Sequence, residues 1–295
     1  MSEPGTSPVV GIIGGSGVYD IEGLEDARWE AVESSFGEPS DEVLRGRLDG
    51  VEMAFLPRHG RGHRIPPSGL NFRANIDALK RLGVTEIISL SACGSLKDTL
   101  PPGTFVLVDQ FIDRTFAREK SFFGDGLVAH VGLGHPTCTR LMSTLEEAGR
   151  GLDVTMISGG TYLAMEGPQF STLAESELYR SWGCDVIGMT NMPEAKLARE
   201  AEICYATVAM VTDYDCWHPD HDHVTVDAII AVLVANAAKA RSLVEAVVPA
   251  LGGRNITCHA GCHRALENAV ITAPEARDPA MVEKLSAVAG RILGG

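Results

Sequence analysis

The chain has 295 residues, of which 25 are Lys or Arg and 39 are Asp or Glu, for a formal charge of −14. Its 45% hydrophobic content is that of an ordinary globular protein, and a chain this long can bury a full core, so extensive disorder is excluded. The acidic balance excludes a basic groove for nucleic acid, and any small anion must be held by a few local donors against the overall field.

The polar start, Met1 to Pro8, lacks the basic region and apolar run of a secretory signal. The first apolar run, Val9 to Ile13, reads as a buried strand. Further strands are expected at Met53 to Leu56, Glu86 to Leu90, Phe105 to Val108, Thr161 to Met165, Asp185 to Met189 and Ala206 to Val211. Helical patterns lie between them. Asn71 to Leu82 places Phe72, Ile76, Leu79 and Leu82 on one stripe, and Gly83 stops it. Thr139 to Ala148 and Thr172 to Trp182 follow the same pattern, and Pro193 starts a helix through Ala201. Val224 to Leu251 is apolar and helical in pattern, but Asn236, Lys239, Arg241 and Glu245 interrupt it. A membrane span needs about 20 mostly apolar residues, so a cytoplasmic protein without a membrane partner is expected. Pro279 to Leu293 reads as one amphipathic helix.

Strands alternating with helices predict an α/β fold: one domain over residues 1–295, with a mixed, largely parallel central sheet flanked by helices. Its core spans about 9–251, and 252–295 reads as a C-terminal extension ending in a helix.

Gly11-Ile-Ile-Gly14-Gly15-Ser16-Gly17 follows the first strand. Glycines let backbone amides approach an anion. A P-loop would need Gly-Lys-Ser/Thr, and no lysine is present. A dinucleotide site needs a helix directly after the glycines and an acid at the next strand end; Val18 to Gly23 is a poor helix start, and Glu33 is at no clear strand end. An anion-holding loop with the Ser16 hydroxyl, or a plain tight turn, remains. Arg58-His59, Ser91 and Thr190 also follow strands. In open α/β sheets ligands sit at the carboxyl ends of strands, so these residues with Ser16 form a candidate phosphate cradle.

Asp213-Tyr214-Asp215 ends the strand Ala206 to Val211. Two carboxylates two residues apart on an extended chain share a face, and in a buried pocket they would keep one proton between them. Such a pair matches the edge of adenine, one group donating to a ring nitrogen and the other accepting from the exocyclic amine. A solvated acidic turn is the plainer alternative. His218, His221 and His223 with Asp220 and Asp222 read as a mobile gate or a solvated loop.

The seven cysteines are odd in number and scattered, which suits buried reduced thiols. Cys258-His259 and Cys262-His263 have metal-like spacing. All four lie within six residues, whereas structural zinc sites draw on two separated pairs, so no metal is expected.

Six ordered motifs are now in view: Gly14-Gly15-Ser16-Gly17, Pro57-Arg58-His59-Gly60-Arg61, Ser91-Ala92-Cys93-Gly94-Ser95, Glu166-Gly167-Pro168-Gln169-Phe170-Ser171, Gly188-Met189-Thr190 and Thr212-Asp213-Tyr214-Asp215-Cys216-Trp217. In this order they resemble the trimeric purine nucleoside phosphorylase family, most closely its 5′-methylthioadenosine phosphorylase branch, over roughly residues 9 to 251. The resemblance implies an α/β phosphorylase fold and a homotrimer, or a dimer of trimers. It implies phosphorolysis of 5′-methylthioadenosine to adenine and 5-methylthioribose 1-phosphate, with phosphate as co-substrate and no metal or organic cofactor. Ser16, Arg58, His59, Ser91, Ala92 and Thr190 match phosphate-binding positions. Met189 matches a ribose contact, Phe170 a residue near base and sugar, and Ser171, Asp213 and Asp215 the base-reading positions. Val226 and Ile229 match the wall of the methylthio pocket, and His130 a residue entering from the neighbouring subunit.

Relatives that cleave 6-oxopurine nucleosides carry Asn where Asp213 stands and usually Glu where Ser171 stands. A mismatched buried polar group costs about 1–3 kcal/mol, so these two positions favour a 6-amino base. A broader specificity for adenosine, inosine or methylthioinosine is the alternative. An NAD-dependent oxidoreductase and a non-catalytic purine-binding protein are the remaining rivals. The segment Cys258 to His263 does not match animal-type members of the family.

Overall fold

A computed structural model describes residues 8–15, 17–19, 21–218, 226–252 and 258–294, with side chains in the helix that starts at Val226 described from Ile230 on. The expected strands are present with small changes of boundary: β1 Val9–Gly14, β4 Val51–Pro57, β5 Val84–Ser95, β6 Phe105–Val108, β9 Thr161–Ala164, β10 Val186–Gly188 and β11 Cys204–Asp213. Four more were not foreseen: β2 Glu25–Glu30, β3 Val43–Leu48, β7 Gln110–Asp113 and β8 Met156–Ser158. β2 and β3 carry charged residues where a buried strand carries Val and Ile, and β7 and β8 are only 4 and 3 residues long.

The helices are α1 Phe72–Arg81, α2 Thr139–Gly149, α3 Leu173–Ser181, α4 Asn191–Glu200, α5 Val226–Leu251, α6 Pro279–Lys284 and α7 Ser286–Leu293. Asn71 caps α1 by accepting from the Ala74 amide at 3.1 Å, and Gly83 leaves it at a φ of +81°. Thr172 and Glu175 form a reciprocal capping box on α3. The single C-terminal helix expected over Pro279 to Leu293 is two helices meeting at Leu285, whose side chain is fully buried. None of the described helices is long and apolar enough to cross a membrane.

The sheet runs β2-β3-β4-β1-β5-β10-β9-β7, with β11, β6 and β8 branching from β5. β4, β1, β5 and β11 are mutually parallel neighbours, so their carboxyl ends gather at one edge. β5 is shared three ways. β11 follows one side as far as Gly94. On the other side β1 pairs only up to Ser89, and antiparallel β10 takes over at Gly94 and Ser95. Between these two ladders, Leu90 to Cys93 have no described strand partner on that side, and the sheet splits there.

Apolar side chains pack on both faces. One cluster joins Ile76 and Leu79 of α1 with Ile87, Leu197 and Tyr205; another joins Val10 and Phe55 with Leu141 of α2 and Val244 and Val247 of α5. The segment from Cys258 to Gly294 is packed into these clusters through Cys258, Cys262, Leu266, Leu285 and Val288. It is also tied by polar contacts, the Leu266 amide donating to Glu202 at 2.9 Å and Arg291 pairing with Glu202 at 2.7 Å.

The fold also corrects the reading of the C-terminal cysteines. Cys258 and Cys262 do not stand alone with their adjacent histidines. Their sulfurs converge with those of Cys138 and Cys204, and all four lie within 4.8 Å of one another. Residues far apart in the chain meet because α2 starts, and β11 starts, where the C-terminal turn docks. His259 is instead exposed.

Candidate active site

The split in the sheet brings the motif residues together. Arg58 follows β4, its amide donating to the Gly14 carbonyl at 2.9 Å, which fixes it against the glycine loop. Its side chain is 2% exposed and fully engaged in hydrogen bonds. Nε and Nη2 donate to Glu194 of α4 at 2.9 and 3.2 Å, Nη2 also to Ser89 Oγ at 2.7 Å and to the Ile13 carbonyl at 3.3 Å, and Nη1 to the Leu90 carbonyl at 2.9 Å. The sequence suggested a lone cation open to phosphate. The structure shows a charge already balanced, because a guanidinium taken this far from water needs a counterion. Glu194 was not foreseen, and neither was the network behind it. Ser89 Oγ and Tyr205 Oη donate to Glu194 at 2.6 and 2.8 Å, and Asn191 Nδ2 donates to Ser89, Tyr205 and Thr207 at 2.9–3.0 Å.

Ser91 and Thr190 meet at the split. Their hydroxyls are 3.0 Å apart and both residues are buried. Thr190 occupies the N-cap position of α4 but makes no capping bond, so its hydroxyl is turned to Ser91. Tyr162 Oη lies 3.3 Å from Ser91 Oγ, and burial first of all pushes its phenol up to about 12, so it stays a donor. Ala92, next in the chain, is exposed. Gly188 is required here, since a Cβ at that position would overlap the Tyr162 hydroxyl. Gly188→Ala is expected to expel Tyr162, lower stability by about 1–3 kcal/mol and weaken phosphate binding. A melting curve and the phosphate KM measure the two effects. Ser16 and the loop histidines His221 and His223 lie outside the described residues.

His59 is 8% exposed and stacks on His63 at 4.3 Å. Its Nδ1 lies 2.8 Å from the Ile65 carbonyl, so Nδ1 carries the proton and Nε2 is a lone-pair acceptor. Burial, and next the Arg58 charge, lower its pKa from 6.5 to about 4. The neutral ring therefore offers Nε2 as an acceptor. Because the folded pKa is depressed, the unfolded chain binds the proton first as pH falls. Stability is lost between about pH 6.5 and pH 4, by up to about 3 kcal/mol from this group. Urea midpoints across that interval are expected to fall less steeply in His59→Gln than in the wild type.

The acidic pair closes the fourth strand end. A bulge between Val211 and Asp213 re-aims the end of β11, and Asp213 pairs with Gly94. A Cβ on Gly94 would crowd Asp213 Oδ1 at 3.0 Å and Asp215 at 3.4 Å. The two acids do not share a face of an extended strand, as the spacing suggested. Asp215 has a φ of 53°, and its amide donates to Asp213 Oδ1 at 2.8 Å, folding the segment into a local turn. Asp213 Oδ2 accepts from Thr212 Oγ1 at 2.7 Å. The Asp215 carboxyl is pushed up by burial and then by the Asp213 charge, with Ser176 opposing, and its Oδ2 is buried without a hydrogen-bond partner. Two carboxyls thus sit at one strand end, and burial disfavours the charge on Asp215.

The profile of the phosphorylase superfamily matches residues 9–249. The chain belongs to the phosphorylase superfamily. S-methyl-5′-thioadenosine phosphorylase from Rhodospirillum rubrum is 68% identical to this phosphorylase over 294 residues, all of both chains. The crystal structure of a methylthioadenosine phosphorylase sourced from an antarctic soil metagenomic library superposes with a TM-score of 0.91 at 46% identity, covering 96% of this chain and 99% of that one. A mutant adenosine/methylthioadenosine phosphorylase from Schistosoma mansoni, crystallised with methylthioadenosine, gives a TM-score of 0.79 at 36% identity, covering 88% and 97%.

In the phosphorylase, a further arginine, absent from the sequence motifs, organises the backbone around Met189. Arg118 donates through Nη1 to the Met189 and Met192 carbonyls, both at 2.6 Å, and through Nη2 to the Glu166 carbonyl at 2.7 Å. Its Nε pairs with the Glu166 carboxylate at 3.1 Å. Although burial opposes it, bonds from Ser68, the Phe116 and Ala117 amides and Arg118 hold Glu166 down at about 2. These bonds lock Met189 against the Gly167 turn, where the backbone φ is +71°. Ser171 is buried, while Phe170 is 75% exposed. The side chains of Val226 and Ile229 lie outside the described residues, although the backbone of α5 begins at Val226. His130 is exposed. It lines a cavity of about 410 Å³ with Lys120, Lys196 and Glu200.

Proposed function

We propose that the protein catalyses phosphorolysis of 5′-methylthioadenosine to adenine and 5-methylthioribose 1-phosphate. The observation that carries this reading is the pair Asp213 and Asp215 at the same sheet edge as Arg58, His59, Ser91 and Thr190. Loss of the base builds positive charge on the ribose and negative charge on the purine. Phosphate lies on the face opposite the base and captures the ribose carbon, so positioning removes much of the cost of the encounter. Ser91, Thr190, His59 and the glycine-loop amides, with Ser16, hold its oxygens, and Arg58 lends its charge from behind.

The acidic pair reads the base. In the complex Asp213 carries a proton that it donates to N7 as the base leaves, and Asp215 accepts from the 6-amino group. Phe170 and Met189 cover base and sugar, Ser171 leaves room beside the base, and Val226 and Ile229 take the methylthio group. The reaction needs no metal or organic cofactor. The exposure of Phe170 and His130 supports completion of the site by a neighbouring copy, His130 entering from it in a homotrimer. We place the enzyme in the cytoplasm, in purine and methionine salvage.

A phosphate-dependent assay of adenine release tests the reading. Methylthioadenosine is expected to exceed adenosine, and adenosine to exceed inosine, in kcat/KM. Base release without phosphate, or inosine as the best substrate, would overturn it.

A further inference from the structure

The sulfurs of Cys138, Cys204, Cys258 and Cys262 form a cluster that the reaction does not use. We propose that these four thiols hold a structural zinc ion that pins the C-terminal segment to the body of the fold. All four residues are buried, and their sulfurs lie within 4.8 Å of one another, with Cys138 and Cys258 at 3.5 Å. Tetrahedral zinc with Zn–S bonds of about 2.3 Å places its sulfurs about 3.8 Å apart. The observed cage needs shifts of at most about 1 Å to reach that geometry.

The ligands come from three places in the chain. Cys258 and Cys262 stand four residues apart in a tight turn, closed by the Gly261 amide donating to the Cys258 carbonyl at 2.9 Å, with Gly261 at a φ of +70°. This is the loop spacing at which structural zinc sites take paired ligands. Cys138 caps the start of α2, where its amide donates to the Tyr205 carbonyl at 2.7 Å. Cys204 is the first residue of β11.

Charge points the same way. A dication on four thiolates keeps two net negative charges, which a buried site must balance. Two arginines face the cluster. Arg199 is 8% exposed and directs Nη1 at Cys262 Sγ, 3.7 Å away, while Nη2 donates to the His135 carbonyl. Arg140 pairs with Glu86 through Nη2 and lies against Cys204. Its Nε–H is buried without an acceptor, a need that a thiolate on Cys204 meets. Neutral thiols would give these cations little, whereas a tetrathiolate metal centre gives both a partner. On binding, the four thiol protons pass to solvent and four Zn–S bonds form, with no change of oxidation state.

Metal analysis of protein purified under reducing conditions without added chelator tests this. About one zinc per chain is expected. Cobalt(II) supplied in its place is expected to give the intense thiolate-to-metal absorption of a tetrahedral sulfur site. Cys258→Ser and Cys262→Ser are expected to lose the metal, whereas Cys184→Ser keeps it. Stripping the wild type with a strong chelator is expected to lower Tm by roughly 5–10 °C, restored by zinc. Reduced wild-type protein that takes up neither zinc nor cobalt would overturn the proposal, even if the serine variants fail to fold. So would an intact mass showing two disulfides among the four cysteines in protein isolated anaerobically.

Discussion

Glu194→Gln is expected to destabilise the protein by about 3–5 kcal/mol, several times the cost of breaking an exposed ion pair, because it strands the buried Arg58 charge. The pair lies at 2% exposure on both sides and is 2.9 Å apart. The reverse change, Arg58→Met, leaves Glu194 with its donors Ser89 and Tyr205, so it costs less. Replacing both partners with Met is expected to recover most of the stability and none of the activity. Urea unfolding of the two single variants and the double variant closes the cycle. Additive losses would mean that the two side chains do not act as a pair.

The second large effect falls on the acidic pair. Asp213→Asn is expected to lower kcat/KM for methylthioadenosine by about 10²–10⁴-fold, the usual range for general-acid help, while the rate with methylthioinosine falls far less. The amide cannot pass on the proton, but it can still donate to an oxo base. Asp215→Asn removes the carboxyl that burial pushes up, so the pH dependence of kcat is expected to differ from that of the wild type. Steady-state kinetics on both nucleosides across pH would measure it. Equal losses on both substrates would sink the assignment of a base-reading acid.

Much of this site was legible because its parts fall at the ends of buried strands, where a Val- and Ile-rich run stops and a polar residue begins. Arg58, Thr190 and Asp213 announce themselves in this way, and Ser91 stands where the apolar run of β5 stops although the strand continues to Ser95. Glu194, Arg118 and Tyr162 do not. Each owes its role to what the fold packs beside it: Glu194 to a guanidinium 136 positions away, Arg118 to carbonyls 71 and 74 positions away, and Tyr162 to the space left by Gly188. Local patterning carries no signal of that kind. The same limit hid the cysteine cluster, since Cys138 and Cys258 are 120 positions apart and only a β-strand start and a helix start bring them together. The bend at Leu285 was missed for a different reason. Both short helices keep one apolar stripe, so the periodicity runs through the break without a mark.

The internal pairing of Arg58 has a consequence for the energy profile of the reaction. With its guanidinium already neutralised by Glu194 and His59 uncharged, the described residues of the proposed phosphate pocket offer an incoming anion dipoles and little net positive charge. The anion therefore arrives partly uncompensated. The charge that best balances it is the one that appears on the ribose ring as the glycosidic bond stretches. Attraction between the two then grows along the reaction coordinate instead of being spent on the resting complex, and only attraction that grows in this way raises the turnover rate. A free, unpaired arginine would bind phosphate more tightly and gain less at the moment of bond breaking.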